Sequence, residues 1–199
     1  MTIENIIKIY RKATQEEKLN GVLWYAEAQA TFEAMAKKYD MPLHIVVGVA
    51  AALSPNNKWS INIRNTNDMI KAFLDGQAVE YCKPSTYKAM RDKAWAILET
   101  MPDHAGVIKK LNGQKIVSFY RNIMGDDTCT VDGHALNIYR GERHNMTSDK
   151  TNIGVKQYRD IQEAYTIAGS KVRFNRKKLK AYEMQAITWV VWRRLHGIV

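Results

Sequence analysis

Two neighbouring stretches decide how this chain is read: Leu111-Asn112-Gly113-Gln114-Lys115-Ile116-Val117-Ser118-Phe119-Tyr120-Arg121-Asn122-Ile123-Met124-Gly125, and shortly after it Cys129-Thr130-Val131-Asp132-Gly133-His134-Ala135. A helix ends at an Asn-Gly turn, and a second helix opens with a lysine. A short extended piece then leads to an acidic residue placed to start a third helix. Each part has a physical use. A glycine turn lets backbone N–H groups come close to a phosphate. A helix N-terminus adds a dipole of the right sign for that phosphate. A carboxylate at Asp132 would accept hydrogen bonds from the orphan N–H groups of the helix it opens.

Outward from this segment the apolar period stays helical. Helices are expected over 21–39, 43–53, 61–74, 84–101, 105–111, 115–124, 132–139, 155–168 and 179–195. In the first, Leu23, Ala26, Ala30, Met35 and Ala36 form a small-residue face. The stretch 43–53 is almost wholly apolar, which predicts a central helix buried on most sides. Ser54-Pro55-Asn56-Asn57 ends it, because proline lacks a donor and asparagine suits turns. In 84–101 the inner face is read as Tyr87, Met90, Ala94, Ile97, Leu98 and Met101. Residues 140–152 read as a polar surface loop and 170–178 as a basic loop. The fold class is all-α, as one domain over 1–199, with the hairpin at about 105–124 and the chemical segment at 129–139.

Lys plus Arg outnumber Asp plus Glu 30 to 20 in 199 residues, a formal charge of +10. Such an excess favours a polyanionic partner, DNA being the simplest, over an inert charged surface. Two cysteines, Cys82 and Cys129, are too few for a cluster or zinc site held by four thiolates. One disulfide is possible but unforced, and a reducing cytoplasm is the expected compartment. The apolar run 43–53 is about half of the ~20 residues that a membrane span needs, so no membrane association is expected. His44, His104, His144 and His196 show no metal-ligand spacing.

The order of the two opening stretches resembles the helix-hairpin-helix DNA glycosylases. Gly113-Gln114-Lys115 matches the Gly-x-Lys element of that superfamily, and Val131-Asp132-Gly133-His134 its Val-Asp-x-His element. Ser118-Phe119-Tyr120-Arg121-Asn122-Ile123 is most similar to the archaeal-type 8-oxoguanine branch. Leu53-Ser54-Pro55-Asn56-Asn57-Lys58-Trp59 resembles the turn whose amide side chain fills the gap left by an extruded base. The resemblance covers about residues 43–140, and the segment 184–189 is similar to bacteriophage proteins. It implies a two-lobed helical fold with a cleft, acting as a monomer on duplex DNA in a bacterial or phage-infected cell. It implies base excision with no cofactor and no metal. Asp132 would be the catalytic carboxylate and Lys115 the Schiff-base nucleophile of a glycosylase that also cuts the strand. Aligned instead on Arg121-Asn122-Ile123, Gln114 takes the lysine position and only hydrolysis through Asp132 remains. Asn56 or Asn57 would fill the stack, and Gly113, Gln114, Lys109, Lys110, His134, Arg176 and Lys177 would contact DNA. Related phage enzymes imply a second reading, replacement of a group on an extruded thymine with the glycosidic bond intact. A third is DNA binding without catalysis.

Each of these residues has a plainer use. Asp132 can be a helix cap alone and Lys115 a solvated lysine or phosphate contact. His134 can be a packed histidine, and Asn56 and Asn57 a turn. Trp189 and Trp192, three residues apart on the last helix, suit a core better than a stacking platform. The basic run Arg173, Arg176, Lys177, Lys178 and Lys180 can be a solvated loop or meet phosphates.

Overall fold

A computed structural model describes residues 2–145 and 152–198. The described chain is helical almost throughout, with helices α1 (Thr2–Arg11), α2 (Gln15–Lys38), α3 (Leu43–Leu53), α4 (Trp59–Leu74), α5 (Lys88–Thr100), α6 (His104–Leu111), α7 (Gln114–Ile123), α8 (Gly133–Arg140), α9 (Val155–Lys171) and α10 (Ala181–Leu195). A two-residue pair of strands, β1 (Arg173–Phe174) and β2 (Lys177–Lys178), is antiparallel, with Arg173 opposite Lys178. None of these helices is long and apolar enough to cross a membrane. The chain forms two compact units, Met1–Glu27 with Gly125–Val199, and Ala28–Met124.

In the Ala28–Met124 unit, α3 is the centre. Ile45 to Leu53 are all buried, and α4, α5, α6 and α7 pack around them. A helix that is apolar on every side can be accommodated only this way in water. Two buried polar side chains of α4 bond to backbone carbonyls: Asn62 Nδ2 donates to the Ala50 carbonyl at 2.9 Å, and Thr66 Oγ1 to the Asn62 carbonyl at 2.8 Å.

In the other unit, α1 packs on α8, α9 and α10, and α9 on α10. Ile6, Leu136, Tyr165, Met184 and Ile187 are central to its core. Close approach depends on two glycines. A Cβ on Gly21 would stand 2.8 Å from the Ile187 backbone, and one on Gly169 would stand 2.6 Å from the Leu179 carbonyl oxygen.

The expected inner faces need correction in two helices. In α2 the buried positions are Tyr25, Ala28, Phe32, Met35 and Ala36, whereas Leu23 is 41% exposed. The bulkier aromatic stripe goes inward, because it removes more apolar area from water than alanines can. Helix α5 begins at Lys88, four residues later than expected. Thr86 is instead drawn into a turn, donating from Oγ1 to the Pro55 carbonyl at 2.8 Å. Tyr87 and Met101 are therefore exposed, Met101 in the left-handed C-cap at φ 38°. Helix α9 continues to Lys171, so the basic loop shrinks to the β1–β2 hairpin. Its turn residues Asn175 and Arg176 both take positive φ, 49° and 66°, as a two-residue hairpin of right-handed strands demands. In the loop expected over 140–152, residues 146–151 lie outside the described ones.

Candidate functional site

Asp132 is the N-cap of α8, and its Oδ1 accepts from the Ala135 N–H at 2.8 Å. Its Oδ2 accepts from the Trp189 indole Nε1–H at 3.0 Å. Two donors on two oxygens hold the carboxylate in one orientation and leave acceptor capacity on each oxygen. The segment before it is fixed too. Tyr158 Oη accepts from the Val131 N–H at 3.0 Å. Gln162 Nε2 donates to Thr128 Oγ1 at 2.9 Å and to the Cys129 carbonyl at 2.8 Å. Helix α9 thus ties down residues 128, 129 and 131 ahead of α8 and satisfies polar groups of that segment that would otherwise need other partners.

Trp189 is itself confined. The Arg193 guanidinium carbon lies 4.3 Å from its ring centroid, a cation–π contact, and the His134 ring stands edge-on to it at 6.2 Å. Asp132, Trp189, His134 and Arg193 form one half-buried polar group. Burial first, then the Asp132 charge, pushes the Cys129 thiol well up. Cys129 and Cys82 are both free and buried.

The hairpin of α6 and α7 lies in the Ala28–Met124 unit, so Lys115 and Asp132 belong to different units. Asp103 caps α6, accepting from the Gly106 N–H at 2.8 Å. Lys93 Nζ donates to the Leu111 carbonyl at its other end. The left-handed residue of the turn is Asn112, at φ 43°. Gly113 caps α7 in ordinary extended geometry, φ −155°, and brings no side-chain acceptor to the first turn. Gln114 is half-buried at the start of α7, and Lys115 beside it is exposed, as is Lys109; Lys110 is half-buried.

The turn after α3 treats its two asparagines differently. Asn57 Nδ2 donates to the Leu53 carbonyl at 2.8 Å, capping the helix. Asn56 is exposed in the left-handed region at φ 59°. Arg176 and Lys177 are exposed on the β1–β2 hairpin. His134 is half-buried, Trp192 is buried at 5% exposure, and Tyr120 at 1%. The sequence reading missed Trp189 as partner of Asp132 and the anchoring by Tyr158 and Gln162. These contacts span 57, 27 and 33 residues, and no local spacing carries such a signal.

The model of a family described as "Family of unknown function (DUF7178)" matches residues 1–196. No curated protein and no solved structure matches the chain.

Proposed function

We propose that this chain, which belongs to the DUF7178 family of unknown function, binds DNA and cleaves the N-glycosidic bond of a base extruded from the duplex. The observation that carries this reading is the Asp132 carboxylate, fixed through both oxygens by Ala135 and Trp189. Cleaving a glycosidic bond builds positive charge on the sugar. A carboxylate already oriented stabilises that charge without reorganising when it forms. The +10 charge supplies the attraction to phosphates. The α6–α7 hairpin, with Lys109, Lys110 and Lys115, suits a backbone contact, and the exposed Asn56 suits insertion into the stack. Lys115 is the proposed nucleophile: its amine displaces the base at C1′, and opening of the sugar ring at O4′ converts the resulting aminal into an imine. With Gln114 in that role instead, Asp132 would activate water. The proposed fold is a two-lobed helix-hairpin-helix one, with which the helical build agrees, and the proposed state is a monomer.

A second reading, DNA binding without catalysis, is favoured by one feature: both Asp132 oxygens already serve the fold. Incubation of the protein with oligonucleotides carrying damaged and hypermodified bases, followed by mass spectrometry, separates the readings. Release of free base is expected. A mass change of the base without release would mean base modification instead. Binding with neither would leave a DNA-binding protein. Borohydride should trap a covalent adduct that Lys115→Gln abolishes, and excision without an adduct would move the reaction to water.

A further inference from the structure

A cavity of about 460 Å³ opens in the Met1–Glu27 and Gly125–Val199 unit, lined by His134, Asn137, Arg143, His144, Trp192 and their neighbours. Its size falls within the range of about 300–1,000 Å³ usual for small-molecule sites. Asp132 is not part of its lining; His134, which stands against Trp189, is shared between the cavity and the Asp132 group.

Two buried polar atoms of its wall lack a partner among the described residues. Asn137 is fully buried. Its Nδ2 donates to the His144 carbonyl at 2.9 Å, but its Oδ1 accepts nothing there. Trp192 is 5% exposed, and its Nε1–H donates to nothing there. A buried donor or acceptor without a partner has given up its water and received nothing in exchange. Two of them in the wall of one cavity are best explained by a ligand that answers both.

The charge of the surroundings narrows the ligand. Arg143, His134 and His144 lie on the wall, with His196 packed on Trp192 at 4.2 Å. Burial and then the charge of Arg143 hold the His196 imidazole below its usual range, with Lys12 and His134 acting in the same direction. Glu142 is exposed, its Oε2 3.1 Å from His144 Nε2, and it is not part of the lining. Arg143 is therefore the one fixed cation among the lining residues, and His134, His144 and Trp192 add flat rings to the wall.

We infer that this cavity binds a nucleotide, which offers a donor for Asn137 Oδ1, an acceptor for Trp192 Nε1 and a phosphate for Arg143. A bare carboxylate would leave Asn137 Oδ1 unanswered. A neutral ring would leave Arg143 unanswered. The nucleotide can come as a free monophosphate or as one unit of a strand.

Calorimetric titration of the full chain tests this, with the four deoxynucleoside monophosphates, their nucleosides, inorganic phosphate and a single-stranded dodecamer. Saturable one-to-one binding of at least one monophosphate is expected. Arg143→Ala, at an exposed position, should weaken the monophosphate about tenfold and leave its nucleoside unchanged. Trp192→Phe removes the N–H while keeping an aromatic ring. It should weaken monophosphate and nucleoside alike, by about tenfold, with an unaltered circular dichroism spectrum. If the dodecamer alone binds and both substitutions weaken it, the pocket stands and its ligand is a unit of a strand. Absence of saturable binding by every probe would overturn the inference. So would inorganic phosphate binding as tightly as the nucleotides with no effect of Trp192→Phe, which would reduce the site to a surface anion contact. Asp132 lies outside the lining, so nucleotide binding to the unaltered chain tests this site while base release tests the proposed function, and the two failures can be told apart.

Discussion

At Asp132 the carboxylate has two tasks that an amide cannot share. Asparagine has one acceptor oxygen, so Asp132→Asn can answer Ala135 N–H or Trp189 Nε1–H but not both. It caps α8 nearly as well, so stability should fall by only about 1 kcal/mol. Base release should fall about a hundredfold or more, measured on a cognate oligonucleotide. Trp189→Phe keeps the ring and removes one donor. It should lower kcat roughly tenfold with KM unchanged, which a purely structural indole would not do. Full activity in Asp132→Asn would end the excision reading. A second residue pair reports on pH. Glu17 accepts from Arg194 Nε at 2.6 Å and from the Thr14 N–H at 2.8 Å. The Arg194 hydrogen bond chiefly holds its carboxyl below the usual range, against the opposing effect of burial. A lowered folded-state value stabilises the fold above the ordinary glutamate range and loses that stabilisation as pH falls through the lowered value. The Tm difference between wild type and Glu17→Gln should therefore be constant near neutrality and shrink below about pH 4.3. A difference that grows on acidification would contradict this.

At the scale of elements, helix contacts rather than helix propensity set what is tolerated. Gly21 lets α2 lie against the α10 backbone at Ile187. Gly21→Ala should cost about 1–3 kcal/mol, despite alanine's better helix propensity, because the neighbour is main chain and cannot rotate away. Chemical denaturation showing a gain in stability would sink this account of the contact. Gly113 gives the opposite case. Its backbone is extended, and an added Cβ would meet chiefly the Ile116 side chain, with Cγ1 at 3.2 Å. Gly113→Ala should change stability by less than about 1 kcal/mol. If the α6–α7 turn sits on a phosphate, the same change should weaken DNA binding by crowding that approach. Unchanged affinity in a filter-binding or anisotropy titration would remove Gly113 from the interface.

For the whole molecule, the proposed DNA binding draws on the net charge of +10. Duplex affinity should fall with salt at a log–log slope of about −0.9 for each phosphate neutralised. Replacing Lys109, Lys110 and Lys115 by glutamine should flatten that slope by about 0.9 for every phosphate left without its lysine. Equal affinity at low and moderate salt would exclude a phosphate-driven interface.

Much of the fold is legible in the sequence because it depends on local pattern. The apolar run of α3 matches its structure at both ends, since a uniformly apolar helix bounded by Pro42 and Pro55 leaves little choice. The hairpin and the Asp132 cap are legible for the same reason: turn and cap chemistry act within four residues. The inner face of α2 is not, because small residues occur on both of its faces, and only the partners of Tyr25 and Phe32 decide which turns inward. The sequence by itself determined the helical class, the charge and the acidic cap, all of which follow from composition and short-range bonding. Only the tertiary structure decided that Trp189, Tyr158 and Gln162 hold the Asp132 segment, and that Asn137 and Trp192 meet around one cavity. The reason is physical: those groups lie on different helices, and their meeting is set by how α8, α9 and α10 pack, which no periodicity along the chain records.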